Sequence, residues 1–387
     1  MVVTSVRNSP PQHSPINRVL IVGNYCHDVL IQDGSAVAET LGGAVAFIAN
    51  VLNGLSVSSS LTSKVGKDFK YAVNNVPIVI PTSRTTVFEA YFDLGLVGNG
   101  HQDRVLKRVC ACDPIAPVDL PEGRFDFGMA VGVGGEILPE TLERMVEICD
   151  VVFVDIQALI RVFDEDDGTV KLLGLKESGF YHLLPRIGFL KASSDEALFL
   201  NVEEVRRLCC VVVTNGKEGC KLFSKDGELQ IAPFEANQVD PTGAGDSFLG
   251  GFVAGLVQGL AVPDAALLGN LFGSLTVEQI GLPKFDFKFF QQMIKDEVQR
   301  RKAQCICFGE RRYDELKLKE LVGHEQFHTS LGAAKLKSSC SDQDCQWDTP
   351  PSSKAVEQGT LPQFIGQPKR LINPVYEEPI RTVDGKQ

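Results

Sequence analysis

Four short runs of β-branched and apolar residues, 19–22 (VLIV), 151–155 (VVFVD), 187–190 (IGFL) and 211–214 (VVVT), set the tightest limit on how this chain folds. They are too short for helices and show no polar face, as strands covered on both sides must. Between them lie amphipathic stretches such as 138–149, where Leu142, Met145, Val146 and Ile148 recur at helical spacing. Strands alternating with helices predict an α/β protein on a doubly wound, mostly parallel sheet flanked by helices. Residues 28–41 and 78–115 break this rhythm. They are turn-rich and contain period-2 segments such as 85–92 (TTVFEAYF), which predicts a small accessory sheet.

Composition narrows the function classes. Of 387 residues, 44% are hydrophobic, enough for a large core. Thirty-eight basic against 49 acidic residues give a net charge of -11, and no long run of Lys and Arg appears, which argues against nucleic acid as a partner. The long apolar stretches are broken by glycines, so no membrane span is expected. The first 17 residues are polar and proline-containing, without the pattern of a secretory signal, and read as a flexible N-terminus. Eleven cysteines is an odd number with no CxxC among them, and Cys209 and Cys210 sit in apolar context as small hydrophobes; reduced thiols and a cytoplasmic location are expected. Beyond about residue 330 the pattern dissolves into a Ser/Pro/Gln-containing tail holding the single Trp347, which predicts disorder there. The chain thus divides into 1–17, a domain over 18–302, and an extension over 303–387.

The chemistry concentrates in residues 240–248, DPTGAGDSF, a glycine-rich turn running into an apolar helix that begins near Asp246. Gly243 and Gly245 permit backbone conformations and close approaches closed to other residues. The N–H groups of Gly243, Ala244, Gly245 and Asp246 then point from a helix N-terminus, where negative charge is favoured, forming an anion hole for a phosphoryl group. A carboxylate inside that hole would repel the anion if it were only a cap. It makes sense as the group that takes a proton from an attacking hydroxyl, so Asp246 is the candidate catalytic base. The glycine spacing is not that of a dinucleotide fingerprint, and no GxxxxGK[ST] is present.

This run closely resembles the C-terminal signature of the PfkB/ribokinase family of small-molecule kinases, and the resemblance extends over about residues 18–300. It implies a ribokinase-like fold in which the irregular segments 28–41 and 78–115 form a β-sheet lid. It also implies substrate contacts at Asp28, which ends the GNYCHD stretch, and at the diglycine Gly42–Gly43. Ribose-specific members carry Lys near Ala44 and Asn at Phe47, so the apolar residues here imply different hydroxyl recognition. For the donor, the resemblance implies ATP held by Ser193, Thr214, Gly216, Gly219, Thr242, Gly243 and Asn270, with Mg²⁺ bound through water by Glu196. Ser193 replaces the family Asn of the N-x-x-E element. The stretch 23–44, together with FVDIQALIR, is most similar to family members that phosphorylate myo-inositol, which implies a cyclic polyol as acceptor and a place in inositol phosphate synthesis. Fructokinase-like or nucleoside-kinase-like activity and a non-catalytic scaffold are the alternatives, and monomer and homodimer stay open.

His324-Glu-Gln-Phe-His328 has the zinc-protease spacing HExxH, but Gly323 precedes it, 329–332 (TSLG) is expected to end the helix, and no third ligand follows. His27 reads as a packing residue beside Asp28. Arg84 and Arg161 are candidates for touching the transferred phosphate, with surface placement as the plainer reading.

Overall fold

The structure, a computed structural model, describes residues 19–92, 105–304 and 322–340. The N-terminal portion forms β1 (Val19–Val22), β2 (Cys26–Gln32), β3 (Ser35–Gly42), α1 (Ala44–Gly54), β4 (Ser59–Thr62), β5 (Lys64–Gly66), β6 (Ile78–Ile80), β7 (Thr86–Phe92), β8 (Val105–Cys110) and β9 (Phe125–Ala130). The middle contributes α2 (Pro139–Ile148), β10 (Cys149–Asp155), α3 (Gln157–Ile160), β11 (Arg161–Phe163), β12 (Val170–Leu172), β13 (Phe189–Ser193), α4 (Val202–Val205), β14 (Cys210–Thr214), β15 (Cys220–Ser224) and β16 (Gly227–Ile231). Four helices follow: α5 (Ala244–Gln258), α6 (Val262–Thr276), α7 (Phe287–Gln304) and α8 (His324–Cys340).

The main sheet has eight strands in the order β16-β15-β14-β13-β10-β9-β1-β4. Strands β4 through β14 in that order pair in parallel, and the β15–β16 hairpin adds an antiparallel edge. Alternation along each strand feeds two cores. Val19 and Ile21 face a core shared with α1, α5, α6 and α7, whereas Leu20 and Val22 face one shared with α2 and α4. Cys210 and Cys209 fall into these two cores respectively, as small hydrophobes. A second sheet, β3-β2-β7-β8, assembles the two irregular stretches, with β2 and β7 parallel and both outer pairs antiparallel. Among the described residues, no helix is long and apolar enough to cross a membrane.

Several expectations need adjustment. The strand expected at 187–190 is β13, starting at Phe189, because Ile187 is still bonded to Leu184 in the preceding turn. Residues 78–80 do not join the accessory sheet; they pair with β5. Helix α5 starts at Ala244, before Asp246. Most notably, 329–332 does not end a helix. The hydroxyls of Thr329 and Ser330 donate to the Glu325 and Gln326 carbonyls one turn back, and Leu331 and Ala334 are buried, so α8 runs on to Cys340. The expected disorder past 330 therefore does not hold for 331–340. The flexible N-terminus, the remainder of the tail and Trp347 lie outside the described residues.

What places α5 is an aromatic contact. The rings of Phe153 (β10) and Phe189 (β13) stack at 4.6 Å, and Phe252 of α5 stands edge-on to both at 5.7 and 5.4 Å. All three are fully buried. Replacing Phe252 with Ala should destabilise the fold by about 3–5 kcal/mol, read from denaturant midpoints; a loss below about 1 kcal/mol would show that this contact does not anchor the helix.

Candidate active site

The parallel strands β1, β9, β10, β13 and β14 end on one side of the sheet, where α/β proteins open their clefts. Helix α5 begins there. Gly243 caps it with φ 77°, a left-handed conformation, and packs so closely on the buried Phe47 ring that any side chain at 243 would overlap it. This contact accounts for an apolar residue at position 47. Asp240 is buried and accepts the Thr242 amide at 2.9 Å, which shapes the entry to the turn. The Ala244 amide bends back to the Pro241 carbonyl at 3.3 Å, and the Ser247 amide reaches the Gly243 carbonyl at 2.8 Å. First-turn amides such as those of Gly245 and Asp246 have no carbonyl of their own helix to meet, which concentrates the anion-binding capacity on them.

Around that turn lies a charge cluster. Lys191, in the middle of β13, is buried and pairs with buried Asp155, at the end of β10, at 2.9 Å. Its ammonium lies so near Gly245 that a methyl group there would stand 2.8 Å from Nζ. Burial works against this ammonium, but Asp155, Glu196 and Asp246 together outweigh it and hold it protonated. Burial pushes the Asp155 carboxyl up, against the pull of Lys191. Asp246 is half-buried and accepts from Gln157 Nε2 at 3.3 Å. Burial raises its carboxyl above the ordinary range, while Lys191 and Arg161 restrain the rise. Asp246 thus sits among polar and charged groups, not in packed hydrocarbon.

Glu196 and Ser193 bond reciprocally: the Ser193 amide donates to the Glu196 carboxylate at 2.8 Å, and the Glu196 amide to Ser193 Oγ at 3.2 Å. Burial would raise the Glu196 carboxyl, but Lys191, the Ser193 amide and Arg161 prevail and keep it low. Ser193 therefore does local work for which its hydroxyl suffices. An ionised, backbone-braced carboxylate beside an anion-binding turn suits a hydrated magnesium ion. Thr214 stands opposite Ser193 in the β13–β14 register, followed by the Gly216 turn and by Gly219 at φ 83°. Asn270 behaves otherwise than expected. Its amide nitrogen is committed to the carbonyls of Ile231 (3.3 Å) and Ala232 (2.8 Å), so it braces the end of β16.

On the other side, the accessory sheet brings Asp28 over the diglycine. A side chain at Gly42 would overlap the Asp28 carboxylate, and one at Gly43 (φ 84°) would overlap the Asn24 carbonyl. The two glycines thus make room for the acid and for a chain reversal into α1. The Cys26 thiol registers the convergence: burial and the charges of Asp28, Glu136 and Asp246 push it up, with Arg161 opposing. Asp28, Glu136, Asp246 and Arg161 thus all lie near enough to act on that thiol. His27 lies 2.5 Å from Tyr71 Oη and 3.4 Å from Glu39, a packing and bonding role. Arg84 is exposed beside Asp68 at 4.0 Å, away from the cluster, whereas Arg161 belongs to it. The zinc-type pair is engaged elsewhere, His324 with Asp264 and His328 with the Pro233 carbonyl.

Sequence reasoning passed over Asp155, Gln157 and Lys191 as functional groups. The signal was a charged residue following directly on each of two apolar runs, VVFV and GFL. Replacing Lys191 with Met leaves Asp155 buried and unpaired and should cost about 3–5 kcal/mol, whereas Asp155→Asn with Lys191→Met should recover most of that; equal losses in both proteins by chemical denaturation would rule out a coupled pair.

The chain is similar to known proteins along most of its length. Residues 182–284 match the description pfkB family carbohydrate kinase. The chain is 67% identical over 336 residues to the inositol 3-kinase of Arabidopsis thaliana, covering 87% of this chain and 92% of that protein. It is 52% identical over 327 residues to the inositol 3-kinase of Oryza sativa subsp. japonica, covering 82% of each. In fold it is similar to a pyrophosphate-dependent kinase in the ribokinase family solved with a pyrophosphate analog and myo-inositol, with a TM-score of 0.58 and 19% identity over 69% of this chain and 97% of that one. With an anion-binding helix start, a carboxylate beside it and a relative matched along most of its length, this chain belongs to the pfkB family of carbohydrate kinases.

Proposed function

We propose that this protein transfers the γ-phosphoryl group of ATP to the 3-hydroxyl of myo-inositol. The observation that carries the reading is the placement of Asp246 in the first turn of α5, with Lys191 against Gly245; Asp28, packed over Gly42, supports the acceptor side. The names of the relatives that match most of the chain support the acceptor.

Asp28 and the Gly42–Gly43 backbone hold the polyol. A carboxylate accepts from two neighbouring hydroxyls at once, which suits a ring of vicinal alcohols. The β3-β2-β7-β8 sheet forms a lid over it and keeps out water, which would otherwise compete as acceptor. Asp246 receives the hydroxyl proton as the bond to phosphorus forms, and its raised affinity for that proton fits the task. The first-turn amides of α5, joined by the Lys191 and Arg161 charges, stabilise the negative charge on the equatorial oxygens in flight. ATP lies along Ser193, Thr214, Gly216, Gly219 and Thr242. Mg²⁺, held through water by Glu196, would neutralise the donor's phosphates. Asn270 supports this side from behind, through Ala232.

Given myo-inositol and Mg·ATP, the chain should yield a single 3-monophosphate by NMR with equimolar ADP; fructose or a nucleoside turned over faster than myo-inositol would overturn the acceptor. Asp246→Asn should lower kcat by about 10²–10⁴-fold with ATP KM little changed. In the unaltered enzyme the acid limb of kcat/KM should lie above the usual carboxylate range, because burial raises the free base, and should vanish in Asp246→Asn. Near-normal turnover in that variant would defeat the assignment.

A further inference from the structure

The histidines that imitate a zinc motif fasten α8 to the body, and what they fasten matters. His324 Nδ1 lies 2.7 Å from Asp264 Oδ1 in the first turn of α6, both groups being buried. Phe327, Leu331 and Ala334 then sink into the core that α5 and α6 share. One turn beyond His324, His328 Nε2 donates to the Pro233 carbonyl at 2.9 Å, and its ring packs on Phe234 at 4.7 Å. Two turns further, buried Lys335 donates to the Glu235 carbonyl and pairs with Glu278 at 3.1 Å. One helix therefore grips three consecutive residues, 233–235, of the segment joining β16 to Asp240.

Both ends of that segment meet elements of the donor side. At its start, a side chain on Gly219 would overlap the Ile231 carbonyl and stand 2.9 Å from the Pro233 nitrogen, so the segment backs directly onto the Thr214–Gly219 turn. At its end, the Val239 and Asp240 amides both donate to the Val277 carbonyl, and Asp240 shapes the turn into Gly243. Residues 235–239 are exposed, and besides these fastenings the Asn237 amide donates to Glu278, the carboxylate that Lys335 pairs with, at 3.2 Å. A segment held at so few points transmits looseness to whatever its ends position.

We propose that α8 is a strap that preorganises the donor-nucleotide side, with His328 and Lys335 as positioning residues. The assignment rests on the nucleotide placement given under the proposed function. Freed of the strap, residues 233–239 sample more conformations, and binding of the nucleotide must restore the order that α8 now supplies. The acceptor side, built on β2 and α1, does not touch this segment among the described contacts, so its affinity should be spared.

The test uses the full-length chain carrying His328→Ala and Lys335→Met. We expect the ADP dissociation constant and the ATP KM to rise about 5- to 30-fold, the effect of one or two lost hydrogen bonds. The myo-inositol KM should stay within about twofold, and hydrogen exchange at the backbone amides of 234–240 and 242 should quicken in the ligand-free protein. His328→Gln alone keeps an N–H donor toward Pro233 and should retain most of the affinity; it also serves if the double variant fails to fold. Unaltered exchange, or quickened exchange with unaltered ADP affinity, would overturn the strap, as would a parallel deterioration of both KM values and kcat. In the unaltered chain ADP should slow exchange at 214–219 and 242–246. Absence of that protection in an enzyme that still phosphorylates inositol would overturn the proposal at the nucleotide placement, not at the strap.

Discussion

The edge-on packing of Phe252 against the stacked pair Phe153 and Phe189 is the contact on which the rest of the molecule's chemistry depends. It seats α5 across β10 and β13, the two strands that carry Asp155 and Lys191. A helix seated there brings its leading amides, its first acidic residue and a buried ammonium to one point. None of these groups is unusual alone. Their effect comes from proximity in a place of low water access, where charge–charge interactions are stronger than at a surface. The same packing explains why the turn must be glycine-rich: Phe47 presses on Gly243 from one side and Lys191 on Gly245 from another.

Charge balance then assigns different tasks to similar groups. Glu196 is kept ionised by Lys191, Arg161 and a backbone amide, whereas Asp246, whose side-chain donor Gln157 lies at 3.3 Å, has a raised proton affinity. An ionised acid suits a hydrated cation, and a more basic one suits proton acceptance. Lys191 links the two. Its position between three carboxylates keeps it charged without committing its whole field to Asp155.

The architecture was largely legible in the sequence because buried parallel strands leave a period-free apolar signature and the intervening helices a periodic one. Strand ends were less so: Ile187 reads as strand but belongs to the turn that feeds β13, and no local pattern distinguishes the two. Asp246 and the glycines were legible because their chemistry is local, a turn and a helix start contiguous in sequence. The Asp155–Lys191 pair was not, since it joins residues 36 apart that meet only across neighbouring strands. Asn270 misled for a related reason, as its partners, the carbonyls of Ile231 and Ala232, carry no side-chain signal. Helix α8 escaped because its interior Thr and Ser bond back to their own helix, where composition alone suggests a break.

The central claim is that the phosphoryl group in transit is received by the start of α5. A crystal structure with ADP, Mg²⁺, myo-inositol and a planar phosphoryl mimic such as aluminium fluoride tests it directly. The account requires the mimic's equatorial atoms to lie within hydrogen-bond distance of the amides of Gly245 and Asp246, with an Asp246 carboxylate oxygen on the attacking hydroxyl. A mimic bound away from that turn, with Asp246 bonded only to Gln157, would contradict it.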